Sequence, residues 1–245
     1  MKKAIILTGL LLACSVSLAA AQGINLRLTD CGAAGTQNAA ASCATNTGLA
    51  MSMVGSAVVP AGMDRVVACE GYIDVQTSAA ALSPWWLMET GQCRAAALTF
   101  SFDFLTAPGT CNDFWAGGAT GGGGVGPEHS APNRLLIKLV GATPTENPID
   151  PGVEHYMFKA NISRAKTVGT GACAGCTDAA CLVLNRLVVN QPAGVGDATI
   201  TTPMIANYVT YNGGVVGSGP NGVSGCPGAT PTQNRTWGQV KSLYR

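Results

Sequence analysis

The cysteines constrain this chain most: ten in 245 residues, three of them crowded into Cys173-Ala-Gly-Cys176-Thr-Asp-Ala-Ala-Cys181. Their meaning depends on the compartment, because thiols pair in an oxidising space and stay reduced or bind metal in the cytosol. The N-terminus supplies the compartment. Met1-Lys2-Lys3 is a basic start, Ala4 to Leu18 is almost wholly apolar, and Ala19-Ala20-Ala21 places small residues before Gln22. This is the pattern of a signal peptide over 1–21, too short for a transmembrane helix, and no later run is long and apolar enough to be one. The mature protein is expected in the periplasm, at the cell surface or secreted. Leu11-Leu12-Ala13-Cys14 resembles a lipobox, so lipid attachment at Cys14 is the alternative processing, although the residues after Cys14 stay apolar where a tether is usually polar.

Nine cysteines follow Cys14, and pairing an odd number leaves one thiol over. Cys69 lies in the apolar run Val66-Val67-Ala68-Cys69 and is the candidate free thiol, packing as a small hydrophobe. Local spacing suggests Cys31 with Cys43 and Cys93 with Cys111. The remaining four, Cys173, Cys176, Cys181 and Cys226, can pair in three ways, of which Cys173 with Cys181 and Cys176 with Cys226 is the one taken. Four thiols are also the count of a structural zinc site, but the second half offers Cys226 alone, and His129 and His155 lie far off in sequence. No metal and no cofactor is expected. A redox role for Cys173-Ala-Gly-Cys176 needs a helix within a βαβ unit, which the surroundings do not predict.

Cleavage of the leader leaves 12 basic residues against 13 acidic ones, so no electrostatic case for nucleic acid or an anionic membrane survives. Charged residues make up only 11% of the chain, and 32 Gly and 13 Pro help fill the difference, a turn-rich β profile. Ile24, Leu26 and Leu28 alternate with polar residues, as do Leu49, Met51 and Met53, and Leu98, Phe100, Phe102 and Phe104 read as one face of a strand. Further apolar runs lie at 65–75, 133–140, 156–162, 181–189 and 205–211, and Leu182-Val183-Leu184 and Leu187-Val188-Val189 predict a strand covered on both faces. Eight or nine strands separated by turn chemistry predict an all-β fold, a two-sheet antiparallel sandwich of jelly-roll or immunoglobulin-like type, stapled by disulfides. Residues 22–245 are expected to form one such domain, with long Gly-rich loops near 105–132 and 212–235. Gly117 to Gly126 has no Gly-Lys-Ser/Thr ending of a phosphate cradle and reads as a flexible surface loop. At the C-terminus, Thr236-Trp237-Gly238-Gln239 matches a capping box, and Trp237, Val240, Leu243 and Tyr244 follow at helical spacing, which predicts a short docked helix.

Catalytic groups are sparse. With His129 and His155 as the two histidines and no Gly-x-Ser-x-Gly elbow, no catalytic residue is nominated. A carboxylate pair for glycoside hydrolysis would come from Asp103, Asp113, Glu128, Asp150 and Glu154, whose sequence spacing says nothing about their separation in space. The binding candidates are Trp85, Trp86 and Trp115, because flat rings on the loops of a β-sandwich can stack on sugars; the competing expectation is that they pack in the core.

Five segments together resemble a group of uncharacterised secreted bacterial proteins: Asn25 to Asp30-Cys31; Asp74-Val-Gln followed by Pro84-Trp85-Trp86; Gly91-Gln-Cys93-Arg94; Cys173-Ala-Gly-Cys176; and Thr236-Trp-Gly-Gln-Val-Lys-Ser-Leu-Tyr-Arg245. The resemblance spans the mature chain and implies export and a common architecture, with no activity attached. Two function classes remain. One is a noncatalytic secreted or cell-surface protein, structural or ligand-binding, with an extracellular glycan or cell-surface component as partner. The other is a secreted carbohydrate-active hydrolase.

Overall fold

The computed structural model describes residues 22–77, 79–126 and 131–214 in full, with the backbone alone of the short strand pair 217–218 and 224–225. Cys14, Glu128, His129, Cys226, the leader and the C-terminal helix lie outside the described residues. The fold is all-β, built as two sheets face to face. The first contains β1 (Gly23–Leu28), β3 (Leu49–Val58), β5 (Leu98–Ser101), β6 (Asn112–Asp113) and β9 (Glu154–Ser163), in the order β1-β3-β9-β5 with β6 also on β9. The second contains β2 (Asn38–Ala39), β4 (Val66–Thr77), β7 (Thr120–Val125), β8 (Arg134–Asn147), β10 (Ala180–Asn190), β11 (Ala198–Ile200) and β12 (Tyr208–Tyr211). Its order is β2-β12-β10-β4-β8-β7, with β11 also on β10. Pairing is antiparallel throughout except for the two-residue contacts β2–β12 and β6–β9.

Alternation builds the core. Leu26, Met53, Phe158, Ala160 and Ile162 of the first sheet are buried with Ile73, Val75, Leu135, Ile137, Leu182, Leu184, Leu187 and Val189 of the second. The two apolar triplets of β10 have a specific explanation. The register slips between Leu184 and Arg186, so Asn185 is a bulge that changes the parity of the strand and keeps Leu187 and Val189 on the side of Leu182 and Leu184.

Two expectations are corrected here. The Leu98 strand stops at Ser101, and Phe102 and Phe104 leave it for separate pockets. The glycine-rich segment is no loop: Thr120–Val125 is an edge strand whose six residues pair with β8 from Ala142 to Ile137. A Cβ on Gly121 would sit 2.6 Å from the Phe102 ring and 2.8 Å from the Gly141 Cα, and one on Gly123 2.8 Å from the Leu139 Cα. Glycine therefore serves close packing at these two positions rather than flexibility.

The disulfides also depart from local spacing. The bonds are Cys31–Cys111, Cys43–Cys176 and Cys93–Cys173, separated by 80, 133 and 80 residues, in place of Cys31–Cys43, Cys93–Cys111, Cys173–Cys181 and Cys176–Cys226. Cys31 follows β1 and Cys111 precedes β6, and both strands belong to the same sheet. Cys43 follows β2, whose neighbour β12 carries Tyr211, and the Tyr211 hydroxyl donates to the Cys176 carbonyl at 3.0 Å. Each staple thus joins segments adjacent in the sheets and distant in sequence. Cys181 is also disulfide-bonded. Cys69 is free and buried, its thiol pushed up to about 12 by burial. Among the described residues no helix is long and apolar enough to cross a membrane.

Candidate functional site

Trp85, Trp86 and Trp115 do not form a binding surface. Trp85 and Trp86 are 0% exposed and Trp115 is 2% exposed. The 3-10 turn Pro84–Trp86 drives both rings inward, where Tyr211 stacks on Trp85 at 5.2 Å and meets Trp86 edge-on. The guanidinium of Arg94 lies 3.7 Å from the Trp85 ring centre and donates to the carbonyls of Trp85 (3.1 Å) and Ser163. Burial lowers Arg94 to about 10, so it stays charged at neutral pH. Cys93–Cys173 and Cys43–Cys176 close this knot, and the stacking expected on sugars is taken up by the protein's own side chains. Trp115 is held likewise, its indole N–H donating 3.0 Å to the Met157 carbonyl and its ring meeting Phe102 and Phe114 edge-on.

The described members of the carboxylate pool are engaged with neighbouring groups. Asp103 and Asp113 each accept the backbone N–H two residues on, from Leu105 at 3.0 Å and Trp115 at 2.9 Å, which is local turn chemistry. The Asp150 carbonyl faces the His155 ring at 3.1 Å. Burial holds His155 below its ordinary value. Glu154 accepts from Asn25 at 2.7 Å and Ser56 at 2.6 Å, with Gly32 so close that a Cβ there would lie 2.5 Å from its Oε2. The sulfurs of Cys31 and Cys111 lie beside Glu154 in a group spanning no more than 4.8 Å, but they are bonded to each other and offer no thiolate to a metal.

A cleft of about 190 Å³ does open on the outer face of the first sheet. The strands contribute Thr29, Ser52, Val54, Tyr156 and Lys159; the overlying loop contributes Phe104, Thr106, Ala107 and Pro108. Ser52 and Val54 face outward because Met51, Met53 and Gly55 face the core. Tyr156 joins them through a bulge. Gly55 pairs with Phe158 and Ser56 with Tyr156, so Met157 is an extra residue in β9 that turns Tyr156 from the core parity of Phe158 and Ala160 to the outside.

The floor of the cleft is an ordered network around Asp30. One of its carboxylate oxygens accepts from the Tyr156 hydroxyl (2.7 Å) and the Cys31 amide (2.8 Å), and the other from the Thr110 hydroxyl (2.7 Å). Burial alone would raise Asp30, but the bonds from Thr110, Tyr156 and Cys31 outweigh it and hold the carboxyl below its ordinary 3.8. Burial, with the Asp30 bond, raises Tyr156 above its ordinary value. The Phe104 ring stacks on Tyr156 at 4.7 Å, and the Lys159 ammonium sits 4.7 Å from the Phe104 centre while donating 2.7 Å to the Asp103 carbonyl. Cys31–Cys111 ties the loop to the end of β1.

Thr29 is the strained member. The Asp30 amide donates back to the Leu28 carbonyl at 2.8 Å, closing a three-residue γ-turn around Thr29, whose φ is 68°. A β-branched residue in this region is a true outlier, and the γ-turn with positive central φ is rare and strained. Sequence reasoning passed over Thr29, Asp30, Ser52, Phe104, Tyr156 and Lys159. The available signal was Thr29-Asp30-Cys31 directly after an alternating strand, together with the interrupted alternation of Glu154 to Phe158.

No protein-family model and no curated protein matches the chain. Among solved structures the chain is similar to a cohesin module from a family 33 glycoside hydrolase of Clostridium perfringens, at 11% identity and a TM-score of 0.35, covering 78% of this chain and 96% of that one.

Proposed function

We propose that this protein is a noncatalytic, exported module that binds a small extracellular ligand, a glycan residue by class, in the cleft between Thr29 and Lys159. The observation that carries the reading is the strained turn at Thr29. Backbone strain of this kind costs of order 1–3 kcal/mol and persists where the surrounding structure over-determines it, which is characteristic of binding and catalytic sites. Here the enforcing structure is the Asp30 network, the Cys31–Cys111 staple and the Thr29 amide bond to the Ser52 carbonyl at 3.1 Å, and all of it surrounds the cleft. The further disulfides Cys43–Cys176 and Cys93–Cys173, the bonded Cys181 and the predicted leader support an extracytoplasmic life. The hydrolase reading has less support, since Asp103, Asp113 and Glu154 are each engaged by neighbouring groups.

A glycan array and a reducing-sugar assay on the oxidised protein test this. Binding without sugar release is expected, with loss of binding in Thr106→Trp, which fills the cleft from an exposed position, and retention in Trp85→Phe. Sugar release abolished by one Asp or Glu substitution would replace the proposal with the hydrolase. Glycan binding unaffected by Thr106→Trp would remove the cleft from it.

A further inference from the structure

Resting on that cleft as the binding site, we infer that its ligand is an acidic sugar: one hexuronate-type ring carrying a carboxylate and several hydroxyls, at a chain end or branch. The lining groups differ in what they still have to offer a ligand. A lysine ammonium has three N–H donors and no acceptor. Lys159 gives one of them to the Asp103 carbonyl at 2.7 Å, which leaves donors and a full positive charge at the cleft. No carboxylate lines the cleft. The two acids nearby are turned to other partners: Asp103 accepts from the Leu105 amide, and Asp30 accepts from three donors beneath Tyr156.

The hydroxyls are in the opposite condition. Each has one proton, and Thr29 donates its own to the Leu28 carbonyl at 2.6 Å while Ser52 donates to the Asn161 side-chain oxygen at 2.6 Å. What Thr29 and Ser52 present to a ligand is therefore lone pairs. The matching molecule places an anion at Lys159 and O–H donors at Thr29 and Ser52. Sulfate supplies the charge without O–H donors, and a neutral sugar supplies the donors without the charge. A sugar acid supplies both.

Size and the aromatic wall narrow the class further. A volume of about 190 Å³ lies below the ~300–1,000 Å³ of ordinary small-molecule pockets, so one ring is held and the rest of a chain lies outside. Phe104 is already engaged by the stacked Tyr156 ring and by the Lys159 ammonium, so recognition is polar rather than by ring stacking. Val54, Ala107 and Pro108 give the C–H side of the ring an apolar contact.

Titration calorimetry of the oxidised full chain with sodium glucuronate, glucose and sodium sulfate tests the inference. Glucuronate is expected to bind about ten-fold tighter than glucose or sulfate, the worth of one charge-assisted hydrogen bond. Lys159→Met should abolish that preference and Lys159→Arg should restore most of it, with circular dichroism confirming that each variant is folded. Equal affinity for glucose and glucuronate overturns the acidic class and leaves the cleft as a sugar site. Sulfate binding as tightly as glucuronate overturns the hydroxy-acid class. Failure of both sugars to bind overturns the inference, while the underlying site falls only if array binding also survives Thr106→Trp.

Discussion

Replacing Thr29 by glycine should stabilise the protein while weakening its cleft. The γ-turn holds a β-branched residue at φ 68°, and glycine occupies that region without a Cβ penalty. Relief of strain is worth about 2 kcal/mol within the range for such outliers. Against it stand the extra freedom of glycine in the unfolded chain, about 0.7 kcal/mol, and the Thr29 hydroxyl bond to the Leu28 carbonyl, about 0.5 kcal/mol at an exposed position. Thr29 is exposed, so no burial is lost. The balance is about 1 kcal/mol in favour of Thr29→Gly, or about 2–4 °C in Tm for a chain of this length. Urea unfolding at pH 7 with the disulfides intact measures it, and the same variant should bind glucuronate several-fold more weakly because an acceptor is gone. Thr29→Ala retains most of the backbone strain and should gain nothing. A Thr29→Gly protein no more stable than the parent would show that the turn stores no strain and would remove the main support for the cleft as a binding site.

Removing the staple that ties down the loop, as Cys31→Ala with Cys111→Ala, should cost about 4 kcal/mol by the chain-entropy relation for its 80-residue separation, and limited proteolysis should then cut within residues 102–110. Asp30 titrates below its ordinary value when folded, so its stabilising contribution is complete above about pH 4 and is lost as pH falls through its folded value; urea midpoints from pH 7 to 2 should show Asp30→Asn losing stability at neutral pH and converging on the parent in acid. Along β7, Gly121→Ala should cost about 1–3 kcal/mol by overpacking against Phe102 and β8, whereas Gly122→Ala, with nothing within 4 Å of its Cβ, should be neutral or better in thermal melts.

Period-two alternation marked the strands at Gly23–Leu28 and Leu49–Val58, and apolar runs at 65–75, 133–140, 156–162 and 181–189 marked Val66–Thr77, Arg134–Asn147, Glu154–Ser163 and Ala180–Asn190, because each packs against the opposite sheet and local pattern records that directly. It erred where contacts beyond the strand decide. Phe102 and Phe104 continue the alternation of Leu98 and Phe100, yet the chain turns away after Ser101 so that one ring packs on Gly121 and Gly141 and the other on Tyr156. The glycines of β7 carry no strand propensity, and only the neighbouring fourteen-residue β8 makes them a strand.

The sequence by itself determined the all-β class, the cysteine-rich character and the burial of a free thiol at Cys69, since composition, alternation and the apolar setting of one residue are local properties. Tertiary structure alone decided which cysteines meet and where a cleft opens. Cys31 finds Cys111 across 80 residues because both border the same sheet, and loop spacing contains no trace of that adjacency. The cleft depends on a bulge at Met157, which re-aims Tyr156, and on a strained turn at Thr29, a backbone choice that a β-branched residue does not favour. Such choices are enforced by packing and hydrogen bonds from distant segments, so they become visible only when the chain is folded.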